Sequence, residues 1–143
     1  MKKLLLLLLI SAPLHLFAQA EMYAGAYEMR FEIKGGGLIE RKLSLNPDGT
    51  FLFHIYKNID PEQPEENNYA KGVWKVEKEN TLYFYTDPKT DIDEVYSLDF
   101  TNTKARYFSK SKRDKSDKVI IKSLKFYASD IFWVKSMKLI KEE

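Results

Sequence analysis

The sequence predicts an all-β fold, a single antiparallel up-and-down β-barrel of about eight or nine strands. Apolar and polar residues alternate with a period of two along several segments, as in strands that bury one face. Clusters of Gly, Pro, Asn and Asp separate these segments, and no segment has convincing helical periodicity. A β-sandwich is the alternative, but it would need long crossover connections, and only residues 58–68 are long enough for one.

The first strand shows the alternation most clearly. Its apolar positions, which should share one buried face, are Tyr27, Met29, Phe31 and Ile33. Three glycines at 35–37 form a turn into the second strand, 38–45. The turn 46–49 contains Pro, which fixes φ, and Gly, which accepts a positive φ, and it leads into the third strand, 50–57. Short turns between consecutive strands predict an antiparallel meander.

The rest of the chain continues this pattern after a solvated acidic loop at 58–68. The further predicted strands are 69–76, 81–85, 94–100, 104–109, 118–127 and 131–140. The last of these is the weakest, because Phe132, Met137 and Ile140 would also suit a short helix. The outer face of the first strand is Glu, Arg, Glu and Lys, so we expect no membrane-spanning barrel.

The first twenty residues follow the pattern of a signal peptide. Lys2 and Lys3 precede an apolar run, and the stretch 18–20 reads Ala-Gln-Ala, a cleavage site that favours a cut before Glu21. A cut after Ala18 is the alternative. The apolar run is shorter than the roughly 20 residues of a bilayer span. We therefore expect a signal peptide at 1–20, one barrel domain at 21–143, and a periplasmic or secreted protein, with a Gram-negative source favoured.

The composition argues against several functions. Losing Lys2 and Lys3 takes the 23 basic side chains to 21, against 21 acidic ones, so overall basicity gives no reason to expect nucleic-acid binding. The chain has no cysteine, and His54 is the single histidine after residue 20. A cysteine nucleophile and a His/Cys zinc site are therefore excluded. The acidic stretch 87–94 does not have EF-hand spacing. We expect a monomeric, non-catalytic protein without metal or cofactor.

Two short motifs resemble those of lipocalin-like, or calycin-type, domains of exported bacterial proteins. The stretch 25–27 reads Gly-Ala-Tyr at the start of a strand, where lipocalins have Gly-x-Trp, and 48–51 reads Asp-Gly-Thr-Phe in a hairpin. The tyrosine at position 27 departs from the tryptophan of true lipocalins. The resemblance implies a small barrel that holds an apolar ligand, and it implies no catalytic residues.

Strand parity identifies candidate ligand-binding residues. Arg41 shares its face with Leu43 and Leu45, and an inward arginine is costly unless it is paired. Together with Arg106 it could capture a ligand carboxylate, as interior Arg and Tyr side chains do in small lipid-binding barrels. The alternative is that Arg41 lies at a strand end and reaches solvent or pairs with a nearby acid. The side of Arg106 is undecided, because apolar residues lie at both parities of its strand. The candidate ligand-binding residues are Arg41, Trp74, Tyr96, Arg106 and Trp133.

A basic segment between residues 104 and 125 carries nine Lys or Arg side chains against Asp114 and Asp117. It could face an anionic envelope surface such as lipid head groups or polysaccharide, or simply be a soluble loop. Its candidate anion-binding residues are Lys110, Lys112, Arg113 and Lys115. Two functions therefore remain open. One is a barrel that binds a small apolar, amphiphilic or anionic ligand. The other is an envelope-associated interaction or inhibitor module that uses its outer surface.

Overall fold

The computed structural model describes residues 19–143, so most of the predicted signal peptide lies outside the described residues. Residues 19–23 are helical, and eight strands follow. The strands are β1 (Gly25–Ile33), β2 (Gly37–Leu45), β3 (Thr50–Asn58), β4 (Glu66–Lys78), β5 (Thr81–Tyr85), β6 (Thr103–Phe108), β7 (Ser123–Ala128) and β8 (Lys138–Lys141).

The strands form a closed barrel in the order in which they occur along the chain. Every neighbouring pair is antiparallel, and β8 closes the ring by pairing with β1 at Tyr27↔Lys141 and Glu28↔Ile140. The predicted up-and-down barrel is thus confirmed, and the sandwich alternative is wrong. Gly49, Asn80 and Asn102 adopt positive φ angles in three of the tight turns.

The two ends of the barrel carry different connections. We call the end at which β1 begins the lower end and the opposite end the upper end. The lower end carries the helical segment 19–23 and the connections 46–49, 79–80 and 109–122. The upper end carries the connections 34–36, 59–65, 86–102 and 129–137. The longest of these, 86–102, supplies Phe100 to the barrel interior.

Aromatic side chains fill the lower and middle interior. Phe100, from the connection 86–102, lies at the centre of this cluster, with its ring 5.0 Å from that of Phe53 and 5.5 Å from that of Phe51. Phe84 packs edge-on against Phe51 at 5.2 Å, and Phe126 lies 5.5 Å from Phe84. All five rings are buried. A ligand therefore cannot enter the middle of the barrel without displacing part of this core.

Tyr23 closes the lower end. Its ring meets that of Tyr107 edge-on at 5.1 Å, and its hydroxyl accepts a hydrogen bond from the Asn80 amide at 3.1 Å. The hydroxyl of Tyr27 donates to the Tyr23 carbonyl from inside the barrel. The helical segment is thereby tied to the core and to the β4–β5 turn.

Four of the sequence predictions are corrected by the structure. The predicted strand 94–100 is part of a long connection, because the Asp93 carboxylate accepts hydrogen bonds from the amides of Val95 and Tyr96 and curls the backbone. Residues 118–122 precede β7 and are exposed, and 131–137 form turns before β8. Phe31 is 58% exposed, because β1 runs beyond the packed core at the upper end.

Candidate functional site at the upper mouth

Arg41 lies on the inward face of β2, one step above the aromatic core. Its cross-strand partners are Met29 on β1 and Ile55 on β3, and Ile55 is fully buried. The Nε atom of Arg41 is buried and has no hydrogen-bond partner. An N–H donor without a partner is costly in a protein interior, so this atom would gain from an acceptor, which reaches it only when the side chains that cover it move aside.

Trp133 forms the roof of this site. It lies in the connection 129–137, where the Ser129 hydroxyl accepts a hydrogen bond from the Ile131 amide and a further turn follows at Val134. The indole ring lies 6.1 Å from the ring of Phe53, at the top of the core. The guanidinium carbon of Arg41 lies 5.3 Å from the centre of the indole ring, so the cation packs on an aromatic face.

A second cation, Lys57, lies 5.8 Å from the same indole ring. It extends from β3 on the inward face and pairs with Glu66 at 3.9 Å. Arg41 forms no ion pair with any residue of the segment 19–143. Burial lowers the pKa of Arg41, although an arginine remains protonated in proteins. The mouth therefore holds one cation that is neutralised and one that is not.

This arrangement suits an anionic group attached to an apolar body. A carboxylate or phosphate oxygen could accept from Nε of Arg41, and a charged hydrogen bond of this kind is stronger than a neutral one. Trp133 and the half-buried Met29 and Ile39 offer apolar contacts beside it. A surface pocket of about 310 Å³ adjoins the mouth and shares Lys57 with it. No group in this set has the arrangement of a nucleophile with its base.

Trp74, a predicted ligand-binding residue, is part of the core instead of the mouth. It is 5% exposed and points inward from β4, opposite Phe84 of β5. Its indole Nε1 donates to the Asn46 carbonyl at 3.0 Å, near the lower end. Trp74 is therefore a core residue, and the structure does not bring it together with Arg41.

Tyr96 and Arg106 lie on the outer surface. Tyr96 packs against Tyr69 of β4 at 5.8 Å, with the Lys71 ammonium 4.4 Å from its ring, and so fastens the connection 86–102 to the barrel wall. Arg106 is exposed on β6 and lies 5.7 Å from the ring of Tyr127. Arg106 does not join Arg41 at one ligand site, because β6 turns Ala105 and Tyr107 inward and Arg106 outward.

Sequence reasoning missed Lys57 as part of this site. A signal was available, since Lys57 shares its parity with Phe51, Phe53 and Ile55, all of which are buried. The four predicted anion-binding residues, Lys110, Lys112, Arg113 and Lys115, lie together in the exposed connection 109–122 at the opposite end. They form a separate surface.

The remaining candidate groups have ordinary surroundings. His54 is on the outer wall, where its ring stacks on Tyr69 at 4.4 Å and bonds the Asn67 side chain at 2.8 Å. Within residues 19–143 no group of three acidic, His or Cys side chains is placed to hold a metal ion. No helix in the described part of the chain has the length and apolar character needed to cross a bilayer.

Comparison with known proteins gives no relative. No protein-family model matches the chain, and neither the curated proteins nor the solved structures contain a significant match. The closed eight-stranded barrel agrees with the lipocalin-like resemblance of its motifs. The architecture, and not a family, is what the structure establishes.

Proposed function

We propose that this protein is a binding barrel that captures a small amphiphile at its upper mouth by the ligand's anionic head group. The observation that carries the proposal is the buried Nε of Arg41, which has no partner and lies beside the indole of Trp133. The aromatic core below favours a ligand that occupies the mouth and projects its apolar part towards the half-buried rim.

The ligand class follows from the charges of the mouth. Lys57 is already paired with Glu66, so one anionic group on the ligand is enough to satisfy the remaining cation. The apolar rim then favours an aliphatic or aromatic body over a highly hydroxylated one. A monocarboxylate with an aliphatic chain has this chemistry.

The test is calorimetric titration with dodecanoate, with dodecanol as the uncharged probe of equal chain length. We expect saturable binding of dodecanoate and clearly weaker binding of dodecanol. Arg41→Met should weaken dodecanoate binding by about 10- to 100-fold, since a hydrogen bond to a charged group contributes about 1.5–3 kcal/mol. The matched control is Arg106→Met, which removes an exposed arginine from the outer wall and should leave the affinity unchanged.

Two outcomes would count against the proposal. In one, the wild-type protein binds neither probe. In the other, Arg41→Met binds dodecanoate as tightly as the wild type. Native mass spectrometry of the purified protein gives an independent check, because an anionic amphiphile that co-purifies with the wild type should be lost from the Arg41 variant and retained by the Arg106 variant.

A further inference from the structure

An exposed apolar triplet lies in the connection 109–122 at the lower end of the barrel. Val119 is 86% exposed, Ile120 36% and Ile121 64%. The sequence predicted that these residues belong to a strand, but β7 begins only at Ser123. Adjacent exposed aliphatic side chains of this kind mark interaction surfaces in soluble proteins.

The triplet borders an open groove of about 510 Å³ on the outer wall. Phe108 of β6, itself 42% exposed, lines the groove, together with Lys125 of β7 and Lys138 of β8. These two lysines are direct cross-strand partners. Like charges placed opposite each other destabilise a sheet, and within residues 19–143 neither lysine forms an ion pair. An anion in the groove would relieve this repulsion.

The same connection is strongly basic. Its exposed cations are Lys110, Lys112, Arg113, Lys115, Lys118 and Lys122. None of them has an acidic partner within 4 Å in the described part of the chain. Of the two acids among them, Asp114 accepts hydrogen bonds from the loop itself, through the Ser116 amide at 2.9 Å. The apolar triplet is thus flanked in sequence by cations that have no acidic partner within residues 19–143.

An anionic bilayer surface is the occupant that matches both features. A polysaccharide offers negative charge but no hydrocarbon for three aliphatic side chains. The boundary between head groups and acyl chains offers both, and basic residues with apolar neighbours bind there. We infer that the connection 109–122 docks the barrel on anionic lipid, with Val119, Ile120 and Ile121 at the acyl boundary. The lower end then faces the membrane and the candidate mouth faces away from it.

The test is co-sedimentation with vesicles of equal parts phosphatidylcholine and phosphatidylglycerol, with pure phosphatidylcholine as the neutral surface. We expect the anionic vesicles to bind much more protein than the neutral ones. This binding should collapse between 0.1 M and 1 M salt, because the Debye length falls from about 10 Å to about 3 Å. The triple variant Lys112→Glu, Arg113→Glu and Lys115→Glu should bind about 100-fold more weakly. The matched control, Lys34→Glu, Lys89→Glu and Lys135→Glu, makes the same charge change at the upper end and should bind nearly as the wild type does.

A second pair of variants separates lipid from other anionic partners. Val119→Ser with Ile121→Ser removes apolar surface without changing charge and should weaken vesicle binding about tenfold. Leu52→Ser with Val95→Ser makes the same kind of change at exposed positions elsewhere and should have little effect. All proteins share one N-terminus, so any contribution from the apolar N-terminal run is equal among them.

Four results would overturn the inference. In the first, the wild-type protein does not bind anionic vesicles at low salt. In the second, the two triple charge variants lose binding equally, and in the third, Val119→Ser with Ile121→Ser binds as tightly as the wild type. In the fourth, the wild-type protein self-associates and this serine variant does not. The last would show that a second copy of the chain covers the triplet. A failure of dodecanoate binding at the mouth would leave all these measurements unaffected.

Discussion

At the scale of single residues, strand parity predicts correctly that Trp74 points into the barrel. Parity places it inward with Val76, and the structure finds it buried against the core. The same reasoning places Arg41 inward. It fails for Arg106, because β6 carries Phe108 on its outer face as well as Ala105 and Tyr107 on its inner face. Apolar residues at both parities leave no pattern from which to choose a side.

Replacing Trp74 by Ala should lower the free energy of unfolding by about 3–5 kcal/mol, the usual cost of removing a buried aromatic ring. Trp74→Phe keeps most of the packing and removes the hydrogen bond to the Asn46 carbonyl, so it should cost about 1–2 kcal/mol. Urea unfolding followed by circular dichroism measures both values. A cost below about 1 kcal/mol for the alanine variant would be incompatible with a core position.

At the scale of elements, the connection 86–102 is where the sequence misled most. Leu98 and Phe100 alternate with Ser97 and Asp99, which is the pattern of a strand. The deciding interactions are polar and join residues far apart in the sequence, since the buried Thr86 hydroxyl accepts from the Phe100 amide at 3.0 Å and donates to the Lys71 carbonyl at 3.1 Å. A period-two pattern cannot distinguish a strand from a loop segment that buries alternate residues. At the mouth, parity could therefore predict the inward direction of Arg41. It could not predict the position of Trp133, which lies in the irregular connection 129–137.

The cluster of Tyr23, Tyr27 and Tyr107 at the lower end should make the folded state less stable at high pH. Burial raises the pKa of Tyr27 and of Tyr107, and the neighbouring tyrosines add to the effect. The unfolded chain has tyrosine pKa values near 10. Above about pH 10 it therefore releases protons that the folded state retains, and stability must fall as pH rises. Below that pH the contribution of these groups is fully present.

We expect the free energy of unfolding of the wild type to fall from about pH 10 upwards, and the slope to be shallower in Tyr27→Phe. Burial lowers the pKa of Lys141, whose ammonium lies 5.7 Å from the Tyr27 ring, and this group acts in the opposite direction. Because both proteins retain Lys141, the difference between their slopes isolates Tyr27. Urea unfolding at a series of pH values provides the slopes, and identical slopes would contradict the assignment.

At the scale of the whole molecule, we propose that the chain is exported and cleaved before Glu21. The product would retain Tyr23, which closes the lower end, and would lose Ala20, whose carbonyl accepts from the Ala24 amide at 2.9 Å. Intact mass of the protein from the periplasm or medium of a Gram-negative host should correspond to residues 21–143. A mass that corresponds to residues 19–143 would indicate the alternative cut. A chain that still carries Met1 in the membrane fraction would contradict export as a cleaved protein.

The short ladder between β1 and β8 has a consequence for how the protein behaves in concentrated solution. β8 contributes only four residues, and it joins β1 at two positions and β7 at three. Strands detach most readily where few hydrogen bonds hold them, so we expect the ring to open first at this seam. An opened ring has two bare strand edges, and such edges pair with those of another molecule or exchange β8 with it. We therefore expect association between molecules in concentrated solution to depend on how firmly these four residues stay paired.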